Sequence, residues 1–269
     1  MNRRRVAWQR ELTKTSAFFR KNWLMSRRNV MTVFEVVFWP VVTLLSVGFM
    51  TTFLRVGPDA TVFVLVGTLA FSIVQVCQLD VAYAVMFDIW AKSVKHQFLA
   101  PVEPWHMAVG AWLMGVVRGL VVFALMGSVS HWAFGVSLLA PGWAPAAGFV
   151  LGLLLSAAGV GLLVVTVLLL FGVHAEVTAW SGVSLVLLLC GIYYPVSMLP
   201  GPLAGIAAGI PLTYFLEGFR AYYGFPPVFP NAWSRGFGLA LAYIVVGYGA
   251  FRWAVTRSRR TGMLLKLSD

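Results

Sequence analysis

The feature that most constrains this chain is the spacing of its charges. No Asp, Glu, Lys or Arg occurs in Val36–Leu54, Ala60–Leu79, Gly119–Ala175, Val177–Leu216 or Gly236–Phe251. An α-helix crossing the ~30 Å hydrocarbon layer needs about 20 mostly apolar residues, and most of these gaps reach that length. The composition agrees: 60% of the 269 residues are hydrophobic and 11% charged, against about 25% charged in soluble chains. The pattern predicts a polytopic helical membrane protein with no sizeable aqueous domain. A transmembrane barrel would show ~10-residue alternating segments, which are absent from the sequence. Met1–Arg28 is too long and too basic for a cleaved signal peptide, since the first long apolar run begins only at Val30. Cys77 and Cys190 both fall in apolar runs and read as small buried groups rather than a disulfide or metal site.

Six spans are expected, at about Val30–Phe53, Thr61–Ala84, His106–Ser130, Gly148–Phe171, Thr178–Met198 and Arg235–Ala254. Pro141, Gly142, Trp143 and Pro145 divide the longest gap by supplying a turn. Lys and Arg in short flanking segments set orientation. Arg3, Arg4, Arg5, Arg10, Lys14, Arg20, Lys21, Arg27 and Arg28 precede the first span. Lys92 and Lys95 lie between spans two and three, and Arg257, Arg259, Arg260 and Lys266 follow the sixth. The other side holds Arg55, Arg220 and Arg235. Both termini are therefore expected in the cytoplasm. The net charge of +11 sits where anionic headgroups are, so it calls for a lipid bilayer as partner and no nucleic acid.

Two cytoplasmic segments stand out. Trp8, Leu12, Thr15, Ser16, Phe19 and Trp23 cluster on one helical face with Arg10, Lys14 and Lys21 opposite. Residues 1–28 thus read as an amphipathic interfacial helix, a lipid anchor or also a docking ledge. Between spans two and three, residues 86–104 suggest a short helix that begins near Asp88, carries apolar Ile89, Trp90, Val94, Phe98 and Leu99, and stops at Pro101. Such a helix rests on the membrane or inserts into another protein's groove.

The stretch after span five is uncharged yet broken by Pro195, Pro200, Pro202 and Pro211. Proline cannot continue an ideal helix, and irregular backbone at membrane depth survives only when protein shields it. A non-crossing, re-entrant pair of short helices over residues 195–224 is expected on the outer side. A true crossing there would place the basic tail, residues 255–269, outside. The run Gly-Ile-Tyr-Tyr-Pro-Val-x-x-Leu-Pro-x-x-Leu-x-x-Ile-x-x-x-x-Pro-Leu-Thr-Tyr, from Gly191 to Tyr214, resembles the signature of type-2 ABC exporter permeases. Drug, lipo-oligosaccharide and polysaccharide exporters belong to that family, and the resemblance covers essentially the whole chain as a single permease domain, residues 1–269.

That resemblance implies an all-α integral membrane fold with six transmembrane helices, the interfacial helix and the re-entrant hairpin. It implies a coupling segment that receives an ATPase's stroke, with Asp88, Trp90, Lys92, Lys95, Phe98 and Leu99 as its candidate residues. It also implies an outer gate including Tyr193, Tyr194, Pro195, Pro200, Pro211, Tyr214, Phe215 and Glu217. The setting it implies is the bacterial cytoplasmic (inner) membrane. Where polysaccharide members carry an Arg-Asp-Leu-Lys-x-Arg-Tyr-like stretch before span one, this chain has Arg20-Lys-Asn-Trp-Leu-Met-Ser-Arg-Arg28. The difference leans toward the drug or lipo-oligosaccharide branch.

No Gly-x-x-x-x-Gly-Lys-[Ser/Thr] loop occurs, so ATP and Mg²⁺ would belong to a separate ATPase chain, and this chain would carry no cofactor. Two copies of this chain about a two-fold axis, with two ATPase subunits, would enclose a pathway economically. The ionisable groups inside spans are candidates by cost alone. Asp80 is expected near the cytoplasmic end of span two and Arg118 about 18 Å into span three, depths that match poorly for a direct ion pair. Glu35 is expected among headgroups or near Arg27 and Arg28, and Glu217 and Arg220 could pair at i and i+3. The aromatics from Tyr193 to Phe225 read either as belt and core packing or as a surface for an amphipathic cargo. The competing classes are an integral membrane enzyme or haem carrier and a passive channel. His131, His174, His96 and His106 lie at mismatched depths for haem, and no His-Glu-x-x-His motif occurs.

Overall fold

The computed structural model describes residues 3–92, 102–172, 177, 181, 184 and 188–261. Among them every regular element is helical. Helix α1 is Arg3–Arg28, α2 Val30–Phe53, α3 Pro58–Trp90, α4 Pro104–Phe134 and α5 Trp143–Phe171. After a 3₁₀ turn at Val196–Met198 come the short helices α6, Gly201–Ala207, and α7, Pro211–Arg220. A second 3₁₀ turn, Ala221–Tyr223, leads toward the long helix α8, Ala232–Thr261. Five stretches are long and apolar enough to cross a bilayer: Phe34–Phe53, Pro58–Trp90, Pro104–Phe134, Trp143–Phe171 and Ala232–Arg260. Of the remaining expected span, Thr178–Met198, residues 178–180, 182–183 and 185–187 lie outside the described residues, and its far end is not a continuous helix: the backbone is irregular from Cys190 to the 3₁₀ turn at Val196–Met198, as the nearby prolines require.

Local chemistry sets the helix ends. Prolines occupy the first turns of α3, α4 and α7, where a missing N–H costs no helical hydrogen bond. Glu103 opens α4 in a reciprocal capping box: its side chain accepts from the backbone at His106, and its own N–H donates to His106 Nδ1 at 3.1 Å. Gly135 closes α4 in the left-handed region at φ 68°, where a side chain would be strained. Helix α3 is 33 residues long, about 50 Å at 1.5 Å per residue. It therefore outruns the hydrocarbon layer, and it continues to Trp90 rather than ending near Ala84. Residues 86–90, expected to begin a separate loop helix, are its last turns.

Helices α3 and α5 form the buried centre of the bundle, whereas α2 and α8 keep most of their surface exposed. Helix α5 packs on α8 and α3, α3 on α4, α1 on α4, and α7 wedges between α5 and α8. The largest core runs through Leu65, Leu69, Ile73, Phe149, Leu153, Phe215 and Phe219. Phe149 and Phe219 stack with ring centroids 4.1 Å apart.

Without a strong hydrophobic drive between helices in lipid, close approach at small residues does the packing. A Cβ built on Gly115 would sit 2.6 Å from Cys77 Sγ, and one on Gly152 would strike the Phe215 ring at 2.4 Å. At Gly67 the obstacle is backbone: the added carbon would fall 2.0 Å from the Ile192 carbonyl oxygen. Gly67→Ala is therefore expected to lower stability by about 1–3 kcal/mol through overpacking, seen as a depressed unfolding midpoint in detergent. Gly57→Ala, with open space around it, should leave the midpoint nearly unchanged.

Candidate functional site

At the end of the bundle where α3 stops and α4 begins, polar contacts converge on α1. Lys21 Nζ donates to both Asp88 carboxylate oxygens, at 2.6 and 2.5 Å, bridging α1 to the last turns of α3. Glu11 Oε2 lies 2.7 Å from His106 Nε2 on α4. Because His106 Nδ1 accepts the Glu103 N–H, Nε2 carries the proton and donates. The Lys14 ammonium, 2.8 Å from Glu11 Oε1, and then His106 hold the Glu11 carboxyl below its ordinary range. Thr15 and Phe18 press against Gly110 of α4, while Trp8 and Leu12 remain exposed. Lys21 thus reaches the bundle instead of lying on a solvated face.

Of the residues expected to receive an ATPase, Asp88 is buried and engaged by Lys21. Trp90 is exposed beside the Tyr83 and Phe87 rings. Lys92, just beyond the helix end, takes a positive φ of 52°. Lys95, Phe98 and Leu99 lie outside the described residues.

One helical layer deeper, Arg118 Nη1 donates to Asp80 Oδ1 at 2.5 Å. Its Nη2 reaches Ser26 Oγ at 2.7 Å and the Thr32 carbonyl at 3.3 Å. The expected mismatch of depth is overturned. Helix α3 continues past Ala84 and α4 begins at Pro104, so the antiparallel pair slides into register. Glu35 lies near the start of α2. It is half-buried and, with Arg118, lines a cavity of about 350 Å³ between α2 and α3. For Asp80 and Arg118 the cost of burial was readable from the sequence, and the register of α3 against α4 supplies the partner.

At the other end, Arg220 and Glu217 do not pair with each other. Arg220 Nη1 donates to the Gly191 carbonyl at 2.6 Å, and Nη2 to those of Ile192 and Phe63 at 2.7 and 2.8 Å. Its guanidinium also lies 3.4 Å from the Phe63 ring centroid. The irregular backbone after residue 190 leaves carbonyls without helical donors, and Arg220 supplies donors in their place. Glu217 instead accepts the Phe229 N–H at 3.1 Å.

The remaining expected gate residues divide by burial. Pro211, Tyr214 and Phe215 are buried, Tyr193, Tyr194 and Pro195 half-buried, and Pro200 exposed. Tyr214 Oη donates to the Ala208 carbonyl at 2.8 Å, and Thr213 Oγ1 to that of Ala207 at 2.9 Å, folding α7 back on α6. Tyr194 Oη donates to the Leu188 carbonyl. Phe215 packs edge-on to Phe237 of α8 at 4.9 Å.

The five long apolar helices define a multi-pass membrane protein. The pattern of the ABC-2 type transporter family matches residues 13–223, and the chain belongs to that family. Permeases of this family are membrane-spanning transport subunits that work with an ABC ATPase. An uncharacterized protein of Archaeoglobus fulgidus is 36% identical over 52 residues, 19% of this chain and 81% of that one.

Removing one member of a buried ion pair strands the other, at a cost of about 3–5 kcal/mol. Arg118→Leu alone should therefore destabilise the protein by roughly that amount in a denaturation assay. The double variant Asp80→Leu with Arg118→Leu should recover most of the loss, and equal losses in both would show the pair is not the cause.

Proposed function

We propose that this chain is the membrane-spanning subunit of an ATP-driven exporter moving an amphipathic molecule, such as a drug or a lipid-linked or glycan-type compound, out of the cytoplasm or inner leaflet. The observation that carries the reading is the family match over residues 13–223, which embraces α2–α5, the proline-broken segment and the helix that precedes them. Both termini lie in the cytoplasm of a bacterial cell, by the excess of Lys and Arg flanking α2 and α8. Two copies of the chain enclose the pathway, and two separate ATPase subunits bring ATP and Mg²⁺.

Helices α6 and α7 have 7 and 10 residues, about 10 and 15 Å, so neither reaches across the hydrocarbon. In this reading they dip in from the outer side and return, forming the gate over residues 195–224. The fold-back bonds of Thr213 and Tyr214 and the Arg220 clasp support it, because they satisfy the backbone groups that irregular structure exposes. The ATPase docks at the cytoplasmic end of α3 and the segment after it, using Trp90, Lys92, Lys95, Phe98 and Leu99. Asp88 contributes by fixing α1 to the same place.

Two measurements test this. With the ATPase subunit present, Trp90→Asp is expected to abolish ATP-driven transport in vesicles while the helical circular dichroism is retained; unchanged export would remove docking there. A cysteine at Gly205, which has open space around it, should react with an impermeant thiol reagent added outside intact cells. Reaction solely from the cytoplasmic side would overturn the topology.

A further inference from the structure

The cavity between α2 and α3 has a charge balance and a lining that specify what it can hold. Its wall contains the Glu35 carboxylate and the Arg118 guanidinium. Arg118 is already neutralised by Asp80, and its other terminal nitrogen is taken up by Ser26 and the Thr32 carbonyl. Two carboxyl groups thus stand near one guanidinium, and Asp80 rather than Glu35 holds its hydrogen bond. Among the described residues Glu35 has no hydrogen-bond or ion-pair partner. Pro40, also in the wall, withholds the N–H that would have bonded the Val36 carbonyl. A second acceptor therefore belongs to a residue lining the same space.

The remaining surface is aromatic and aliphatic, with the hydroxyls of Thr43 and Ser72 and one amide. Trp39, Phe71 and Tyr83 line the cavity along with Gln75. Ring faces attract organic cations whose hydration is weak, most strongly when water is excluded. A compact, strongly hydrated metal ion would find one carboxylate and, among the described residues, no group of three or more His, Cys, Asp or Glu side chains to hold it, whereas an anion would meet Glu35 and a guanidinium already occupied. About 350 Å³ lies within the range of small-molecule sites.

We propose that this cavity takes the cationic head of an amphiphile, an organic ammonium or phosphonium bearing apolar groups, with Glu35 as counter-ion and Trp39, Phe71 and Tyr83 as the apolar wall. Glu35 lies five residues after the start of α2 at Val30, about 8 Å along its axis, so in the proposed topology the head sits toward the cytoplasmic leaflet. Calling the occupant a cargo rests on the exporter reading above; its binding does not.

The test compares two ions of nearly equal size and opposite charge, tetraphenylphosphonium and tetraphenylborate, on the full chain in lipid nanodiscs against empty nanodiscs. Saturable binding of the phosphonium is expected, weakened roughly tenfold, about 1.4 kcal/mol, in Glu35→Gln. Tetraphenylborate should bind more weakly than the phosphonium and should not be weakened by the substitution. Equal affinity of Glu35→Gln and wild type for the phosphonium would overturn the proposal, as would borate binding as tight as phosphonium binding. Should Glu35→Gln fail to accumulate, Trp39→Leu decides in its place. Trp39 is 58% exposed and its loss should spare the fold, so undiminished phosphonium binding would sink the site. ATP-driven efflux of the phosphonium with the ATPase subunit is scored separately. Binding without efflux supports the cavity and removes the cargo reading, and absence of saturable binding removes the cavity whatever the efflux shows.

Discussion

A guanidinium taken out of water has to be answered by every group around it. Arg118 meets that demand by drawing three helices to itself: Asp80 from α3, Ser26 from the end of α1 and the Thr32 carbonyl from the start of α2. Each alternative packing of these helices would strand a charge in an apolar interior, at several kcal/mol. Hydrophobicity alone leaves such helices free to slide and rotate, since lipid is as apolar as their neighbours. The buried pair removes that freedom and selects one register.

Arg220 performs a related task for irregular backbone. A helix satisfies its own carbonyls; the turn following residue 190 does not. Three carbonyls from two parts of the chain converge on this one side chain, and Gly67 lets the Ile192 carbonyl approach α3 with no Cβ between them. Charge and small size thus act together. The arginine provides donors where helical ones are missing, and the glycine provides the room to bring them to bear.

The sequence announced its membrane helices through what it lacks, since the charge-free runs around α2, α4 and α5 leave little else for those residues to do. Val30–Phe53 was readable to the residue because Arg27, Arg28 and Asn29 precede it and Arg55 follows. The far end of α3 was not, since Asp88 and the polar residues after it look like a loop until Lys21 is brought alongside. The same holds for Asp80 with Arg118 and Glu11 with His106, whose partners lie 38 and 95 positions away. Periodicity reports which face of a helix is apolar. It carries no information on which helix that face will meet, so every polar contact between helices had to come from the structure. Glu217 and Arg220 show the converse error: close spacing on one turn suggested a pair, but unsatisfied backbone nearby drew each side chain elsewhere.

One small joint has a mechanical meaning. Asn29 alone separates α1 from α2, and Arg118 holds a residue on either side of it, Ser26 and Thr32. A hinge gripped on both arms by one rigid fork cannot bend by degrees. Tilting α1 against α2 requires letting go of at least one grip, and each bond released leaves a buried donor unpaired. The elbow therefore works as a latch with a threshold, holding its angle against small displacements and yielding only to a push large enough to break it.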